Sequence, residues 1–182
     1  MNPSADTALI LIDVQNDYFP DGRFPLWNTD NTLTHTLATL QRARASQVPI
    51  ILVQHVADSA KGEAPFFNSG TPGVDLHSAI QRAAPDAHTI TKQFADSFEQ
   101  TTLHADLQER GIKRLLLGGM MTQNCVTHTA LSKQAEHYTV SVLSDCCTSV
   151  DAMIHGIAIN ALTTRVGIGV SGEVLGGVIR GR

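Results

Sequence analysis

The sequence predicts a three-layer α/β/α domain in which helices cover both faces of a parallel sheet. Two observations carry this prediction. Short continuous apolar runs alternate with longer segments of helical periodicity, and the 182 residues contain 42% apolar and 16% charged side chains, enough for one sizeable core. Strands that are buried on both faces have continuous apolar runs, and regular strand–helix alternation builds right-handed crossovers. We therefore expect a single domain over residues 1–182.

Each element follows from its local pattern. Six short apolar segments are candidate strands, in order Ala8–Ile12, Val48–Val53, Ala87–Thr91, Lys113–Leu117, Tyr138–Leu143 and Val166–Val170. Apolar residues at helical spacing predict intervening helices around Leu33–Ala43 and Leu103–Leu107, and over Gln123–His137 and Met153–Leu162.

One segment, Ala57–Gly73, interrupts this alternation. It is rich in Gly, Pro and Ser but also carries Phe66 and Phe67, so it predicts a long functional loop or lid. Together with Phe19 and Trp27, these aromatic residues are candidates for the wall of an apolar substrate pocket. The alternative is that some of them belong to the core or to an interface.

Composition excludes several classes of partner. The formal net charge is −4, which argues against a surface for nucleic acid or anionic membranes. No apolar run approaches the roughly 20 residues of a membrane helix, and the N-terminus lacks the basic region of a signal peptide. Three cysteines cannot form an even set of disulfides, so we expect a reduced, cytoplasmic protein.

The chemical signal lies at the carboxyl ends of the predicted strands, where ligands bind in such folds. The first strand ends in Asp13, the third in Lys92, and Cys125 follows the fourth by a few residues. Each residue alone has a structural alternative: a strand-end cap for Asp13, a surface charge for Lys92, a small core residue for Cys125. An acid, an amine and a thiol at one edge favour a catalytic site.

The surroundings of Cys125 suggest an activated thiol. Thr122 can cap a helix that runs to about His137, which would place Cys125 in its first turn. The unpaired N–H groups there and a nearby ammonium favour the thiolate, so we expect a lowered pKa for Cys125. Cys146 and Cys147 end a strand and lack evident activation, so they are expected to be inert packing residues.

Four motifs in the right order make the chain resemble the isochorismatase-like cysteine hydrolases, over nearly its whole length. The opening segment Ala8–Phe19 resembles that family's first strand and its catalytic Asp. The other motifs are Lys92 with Ser97-Phe98 and Thr101-x-Leu103, Gly118–Val126 with Thr129-Ala130, and Asp145 at the end of a strand.

The resemblance implies a six-stranded parallel sheet of order 3-2-1-4-5-6, a Rossmann-like fold. It implies that Cys125 is the nucleophile, Asp13 the general acid/base and Lys92 the cation that helps to form the thiolate. It also implies a cis peptide bond between Met120 and Met121, with the backbone N–H groups of Met121 and Cys125 forming the oxyanion hole. A homodimer or a higher homo-oligomer and no organic cofactor are further implications.

Two departures narrow the expected activity. Family members that hydrolyse nicotinamide carry an Asp-x-His metal motif where this chain has Gln54-His55-Val56. Because the carboxylate is missing, we expect no metal site, and His55 is either a structural residue or, like Gln15, a candidate substrate contact. True isochorismatases work without the cysteine, so Cys125 favours acyl chemistry at an amide or ureido carbon.

Two further motifs are weaker. Gly167–Gly172 matches the G-x-G-x-x-G pattern of dinucleotide sites, but too few residues follow it to build the required unit, and we expect a glycine-rich last strand. His128 follows Cys125 by three residues, but a zinc site needs further ligands, so His128 is expected to lie on a helix face.

The sequence thus predicts a cysteine hydrolase that cleaves a small non-peptide amide or a related C–N bond through a Cys125 thioester. Within the same class, the alternative is a carbamoyl, cyclic-amide or isochorismate-like substrate. From a different class, the alternative is a binding protein that keeps the fold without activity.

Overall fold

A single parallel sheet organises the chain. The computed structural model describes residues 6–174. The predicted domain, residues 1–182, extends beyond this range, and the predictions made for residues 1–5 lie outside it. The strand order is β3-β2-β1-β4-β5-β6, as the resemblance implies. The strands are β1 (Thr7–Ile12), β2 (Ile50–His55), β3 (His88–Lys92), β4 (Arg114–Met120), β5 (Thr139–Thr148) and β6 (Gly167–Gly169), which confirms all six candidates.

Helices cover both faces of this sheet. They are α1 (Thr29–Ala45), α2 (Ser78–Ala83), α3 (Leu103–Glu109), α4 (Thr127–Ala130), α5 (Ala152–Leu162) and α6 (Ser171–Val174). Two cores result, one containing Leu40 of α1 and Ile80 of α2, the other containing Leu103 of α3 and Leu162 of α5. No helix within residues 6–174 is long and apolar enough to cross a bilayer.

Strand β1 lies at the centre of the sheet and is buried along its whole length. Its last residue, Ile12, pairs with Val53 of β2 and with Gly119 of β4. One strand further out, His55 pairs with Lys92. The carboxyl ends of β1 to β4 therefore meet at the point where strand order reverses, which is where this topology places ligands.

Gly119 makes the close approach of β1 and β4 possible. Its φ is +126°, and a Cβ at this position would lie 2.0 Å from the backbone oxygen of Ile12. A side chain there would force the two central strands apart. The Gly118-Gly119 pair also coincides with a register shift between β4 and β5, just before the chain turns towards Cys125.

The predicted helix over Gln123–His137 is wrong as a continuous element. The chain first forms a wide π-type turn over Thr122–Val126, which we call the π-turn. Helix α4 follows, and then a separate 3-10 turn at Gln134–His137. Thr122 does not cap it, because its hydroxyl donates to the Thr148 carbonyl instead. Threonine hydroxyls that bond to backbone carbonyls compete with regular helix hydrogen bonding, and Thr127 does the same with the carbonyl of Thr122.

The loop over Ala57–Gly73 is anchored at its aromatic centre. The backbone N–H of Phe67 donates to the buried carboxylate of Asp17 at 2.7 Å, and its carbonyl accepts from Ala57 at 2.9 Å. Phe67 is 1% exposed and has a φ of 61°. Gly73 lies so close to Asp17 that a Cβ would overlap the carboxylate. This part of the loop is therefore a packed wall.

The glycine-rich segment at residues 167–172 forms β6 and the start of α6. Gly167 to Gly169 pair in parallel with Ser141 to Leu143 of β5, so the prediction of a last strand is confirmed. Asp145 of β5 then accepts hydrogen bonds from the N–H and the hydroxyl of Ser171, which fixes the beginning of α6.

Candidate active site

Asp13 and Lys92 form a buried ion pair at the carboxyl edge of the sheet. The Lys92 Nζ lies 2.9 Å from Asp13 Oδ2, and both side chains have zero solvent exposure. The same ammonium donates to the carbonyl of Phe94 at 3.0 Å and lies 3.4 Å from that of Ala95. The ammonium is therefore held in one position by a charge and by backbone oxygens.

The Asp13 carboxylate is otherwise poorly satisfied. Apart from Lys92 and the neighbouring Cys125 thiol, no donor among residues 6–174 meets either of its oxygens. Its backbone has a φ of 54°, which is strained for a residue with a side chain, and the N–H donates to the carbonyl of Val53. Strain and a buried carboxylate with few hydrogen-bond donors are both typical of a reactive group.

Cys125 completes the cluster from the π-turn. Its Sγ, one carboxylate oxygen of Asp13 and one ring nitrogen of His55 all lie within 4.8 Å of one another. Cys125 is 3% exposed, so the thiol is enclosed together with its neighbours. The acid, amine and thiol that the sequence places at one edge are thus in contact distance.

The expectation of a lowered pKa for Cys125 is wrong. Burial raises the pKa of this thiol and the Asp13 charge raises it further, while Lys92 lowers it. Sequence reasoning included the ammonium but not the desolvation, which depends on tertiary packing. Burial also raises the pKa of the other two thiols, Cys146 and Cys147, and the pKa of Cys146 rises to about 11. Cys125 at rest is therefore a thiol beside a carboxylate that can accept its proton.

The charge of Lys92 persists in this environment. Burial opposes the ammonium, but the neighbouring Asp13 and Cys125 raise the pKa of Lys92 above its ordinary value. The ammonium therefore offers a permanent positive charge next to the sulfur at neutral pH.

His55 contacts the ammonium as a neutral imidazole. Its Nδ1 lies 3.2 Å from Lys92 Nζ, and burial lowers the pKa of His55, with Asp13 raising it and Lys92 lowering it. An ammonium can only donate, so Nδ1 accepts and the ring proton sits on Nε2. His55 thus gives the Lys92 ammonium a further acceptor besides the two backbone carbonyls.

The three donors Asp13, His55 and Cys125 were not recognisable as a set from sequence, because they come from three different strand ends. Their atoms are types that bind zinc, which corrects the expectation that no such set exists near His55. A resident metal is nevertheless disfavoured, since the Lys92 ammonium lies 2.9 Å from one Asp13 oxygen and 3.2 Å from Nδ1 of His55. Its positive charge repels a second cation at these residues.

Gln15 is fixed by backbone groups. It has zero exposure, and its amide nitrogen donates to the carbonyls of His55 at 2.9 Å and Val74 at 2.6 Å. Its oxygen accepts from the N–H of His55 at 2.8 Å. Both amide protons are in use, so this geometry gives Gln15 a role in positioning His55 and leaves it no donor for a substrate.

The predicted aromatic contacts divide into two groups. Phe67 lies at the site, with its ring centroid 5.9 Å from that of His55, and Phe66 packs against it at 4.9 Å. Phe19 packs on His77 at 4.3 Å, and Trp27 is 41% exposed beside His155. The structure does not bring these last two against the buried cluster.

Tyr18 is a site residue that sequence reasoning missed. It is 1% exposed, its ring lies 4.6 Å from that of Phe67, and burial with the charges of Asp13 and Cys125 raises its pKa. The hydroxyl therefore stays protonated next to the cluster. Its signal in the sequence is its place in the opening motif, next to Phe19, which is the predicted contact.

The peptide bond between Met120 and Met121 is cis. The Met121 carbonyl accepts from the N–H groups of Asn124 and Val126 within the π-turn. The cis bond that the resemblance implies is therefore present, while the role of the Met121 N–H as an oxyanion donor stays a prediction.

A buried carboxylate, an ammonium and a thiol thus meet at the switch point of the parallel sheet. The family model described as Isochorismatase domain matches residues 7–173. The chain therefore belongs to the isochorismatase family and is a hydrolase, as its motifs indicate.

Individual relatives agree with this assignment. The chain is 34% identical over 148 residues to the uncharacterized isochorismatase family protein YddQ of Bacillus subtilis (strain 168), covering 81% of each. It is 28% identical over 144 residues to a streptothricin hydrolase of Streptomyces noursei, covering 79% of this chain and 55% of that one. A cysteine hydrolase structure from Pseudomonas syringae pv. phaseolicola has a TM-score of 0.85 at 23% identity, covering 94% and 92%, and supports the fold alone.

Proposed function

We propose that this protein hydrolyses a small non-peptide amide, or a related acyl C–N bond, through a covalent thioester on Cys125. The observation that carries the proposal is the enclosed contact of the Cys125 thiol with the Asp13 carboxylate and the Lys92 ammonium. An acid–base group beside a thiol is the arrangement that nucleophilic acyl transfer requires.

Acylation uses Cys125, Asp13 and Lys92 together. Asp13 takes the thiol proton while Sγ attacks the carbonyl carbon, and Lys92 stabilises the sulfur as its charge develops. The carbonyl oxygen becomes an oxyanion, for which the N–H groups of Met121 and Cys125 are the proposed donors. The intermediate then collapses, the C–N bond breaks, and Asp13 returns its proton to the departing nitrogen.

Deacylation runs the same groups in reverse order. A water molecule gives a proton to Asp13 and its oxygen attacks the thioester carbon. The C–S bond breaks, the acid is released, and Cys125 recovers its proton from Asp13. The balance is one water consumed, and one amine or ammonia and one acid produced.

The side chains next to the cluster support a small substrate with an apolar part. Phe67 and Phe66 provide an aromatic wall beside His55, whose Nε2 proton is a donor for an acceptor on the substrate. The partial likeness to a protein named streptothricin hydrolase supports a hydrolytic activity. The cytoplasmic location that three unpaired cysteines predict remains part of the proposal.

The test is a turnover screen that separates the bond types. Small aromatic and aliphatic amides, ureides, cyclic amides and a vinyl ether are incubated with wild type and with Cys125→Ala. We expect C–N substrates to be hydrolysed by wild type alone. Cleavage of the vinyl ether by both proteins would contradict the proposal, and so would a failure of all C–N substrates.

A further inference from the structure

The π-turn that carries Cys125 is not a regular helix. Within it, the carbonyl of Met121 accepts from the N–H groups of Asn124 at 3.0 Å and Val126 at 3.3 Å. Turns of the π type are rare, and they occur mostly as single turns at functional sites. The contacts that other segments of the chain make with this turn therefore decide where the Cys125 sulfur lies.

Thr122, the first residue of the π-turn, has a hydroxyl with two partners. Its Oγ1 lies 2.9 Å from the carbonyl oxygen of Thr148, at the end of β5. It also lies 2.9 Å from Nδ1 of His155, in α5. Because Thr122 has zero solvent exposure, water does not replace either partner. The hydroxyl joins the turn to two other elements of the fold.

The direction of both hydrogen bonds follows from the available protons. A hydroxyl has one proton and a carbonyl oxygen can only accept, so Thr122 donates to Thr148. The Thr122 oxygen must then accept from His155, which places a ring proton on Nδ1. Burial lowers the pKa of His155, so the imidazole is neutral at pH 7 and this is its single ring proton.

The end of β5 is a fixed support for the turn. The Thr148 hydroxyl donates to the carbonyl of Trp27, and the Trp27 N–H donates to the carbonyl of Ser149 at 2.9 Å. The Ser149 hydroxyl in turn donates to the side-chain oxygen of Gln123 at 2.7 Å. Two adjacent residues of the π-turn, Thr122 and Gln123, are thus bonded to two adjacent residues that the loop before α1 holds in place.

The His155 ring makes one polar contact, and that contact is with the π-turn. Within residues 6–174, Thr122 is the only hydrogen-bond partner of the ring. The position of the ring is set by the first turn of α5. There the Asp151 carboxylate accepts from the N–H of Ile154 at 2.7 Å, and the Asp151 carbonyl accepts from the backbone N–H of His155 at 3.1 Å.

We propose that His155 is a positioning residue for the Cys125 nucleophile. Its Nδ1–H fixes Thr122 at the start of the π-turn, and this turn presents the sulfur to the buried ion pair. The role rests on the proposed function, because it places the sulfur for attack on a carbonyl carbon. Since a displacement of about 1 Å can slow a reaction about 10²-fold, loss of this hydrogen bond should lower kcat and leave KM nearly unchanged.

Hydrogen exchange of backbone amides, followed by mass spectrometry, tests the hydrogen bond without any substrate. His155→Leu should speed exchange in peptides that cover the π-turn by about 10-fold, while peptides from β1 keep the wild-type rate. His155→Asn, whose amide N–H can take the place of Nδ1–H, should restore the wild-type rate. His155→Gln, whose amide reaches the Nε2 position, should not. The matched control is His137→Leu, at an exposed histidine away from the turn.

Steady-state kinetics on an amide that wild type hydrolyses tests the role in the reaction. We expect kcat to fall about 10- to 100-fold in His155→Leu, with most of the loss recovered in His155→Asn. Thr122→Val keeps the shape of the side chain without the hydroxyl and should show a loss at least as large. The double variant of Thr122→Val and His155→Leu should be no worse than Thr122→Val, because one hydrogen bond is removed in both.

The possible failures are distinguishable. Unchanged exchange in His155→Leu, or recovery by His155→Gln in place of His155→Asn, would overturn the hydrogen bond as the support of the turn. A wild-type kcat in a His155→Leu protein whose π-turn exchanges faster would overturn the positioning role and leave the proposed function intact. If instead Cys125→Ala keeps the wild-type activity, the proposed function fails, and the positioning role fails with it although the exchange result stands.

Discussion

The ammonium of Lys92 lies 2.9 Å from the carboxylate of Asp13, and neither side chain is accessible to solvent. A buried ion pair costs much desolvation, and its loss on one side leaves an uncompensated charge in the interior. Because desolvation offsets the attraction within a buried ion pair, stability alone does not explain an enclosed pair beside a thiol. Changes to Asp13 or Lys92 should therefore alter both the stability of the fold and the activity of the site.

Single neutralisation of the pair should destabilise the fold more than double neutralisation. We expect Lys92→Met and Asp13→Asn each to lower the free energy of unfolding by about 3–5 kcal/mol, because each leaves one buried charge unpaired. The double variant leaves none and should recover much of the loss. Denaturant unfolding of the four proteins measures this, and simple additivity would contradict it.

Asp13→Asn should lose activity in both halves of the reaction. Asparagine fills the same space but cannot take the thiol proton, protonate the leaving nitrogen or activate water. We expect kcat/KM to fall by about 10²- to 10⁴-fold, the usual contribution of a general acid–base group. Steady-state kinetics on folded protein measures the fall, with Asp21→Asn on the surface as control. Activity near the wild-type value would remove Asp13 from the mechanism.

Lys92→Met should show an activity that recovers at alkaline pH. Lys92 lowers the pKa of Cys125 against burial and Asp13, so its removal raises that pKa further. The thiolate then forms only at higher pH, and we expect a loss of about 10²- to 10³-fold near pH 7 that shrinks as pH rises. The surface variant Lys113→Met should follow the wild-type profile. A pH-independent loss would assign Lys92 to another role.

Activity should survive chelators. The Lys92 ammonium occupies the space between Asp13 and His55 that a metal ion would need. Dialysis against EDTA followed by an assay with and without added zinc or iron measures this. A loss of activity that added zinc or iron reverses would contradict this prediction and would show that Lys92 moves aside for a metal.

The parts of the fold that depend on local pattern could be predicted from the sequence. The continuous apolar run at Ala8–Ile12 predicts a doubly buried strand, and the ends of the first and third strands place Asp13 and Lys92. The break in the helix after Cys125 could not be predicted, because it depends on a hydrogen bond from the Thr122 hydroxyl to the carbonyl of the distant Thr148.

Burial and contacts between distant segments account for what the sequence did not predict at the site. The pKa of Cys125 follows from how completely the fold encloses it. The contact of His55 with Lys92 requires the register of β2 against β3, and the commitment of Gln15 requires the loop that presents Val74. None of these is encoded within one segment.

The most direct test of the account is intact-mass detection of a covalent acyl-enzyme during turnover of an amide found in the screen. We predict a mass increase equal to the acyl group on wild type, mapped to Cys125, and no such species on Cys125→Ala, which should retain the fold. Cys146→Ala and Cys147→Ala should still form the adduct. If Cys125→Ala turns over the same substrate at the wild-type rate, the nucleophilic role of Cys125 is wrong and the site works by acid catalysis through Asp13.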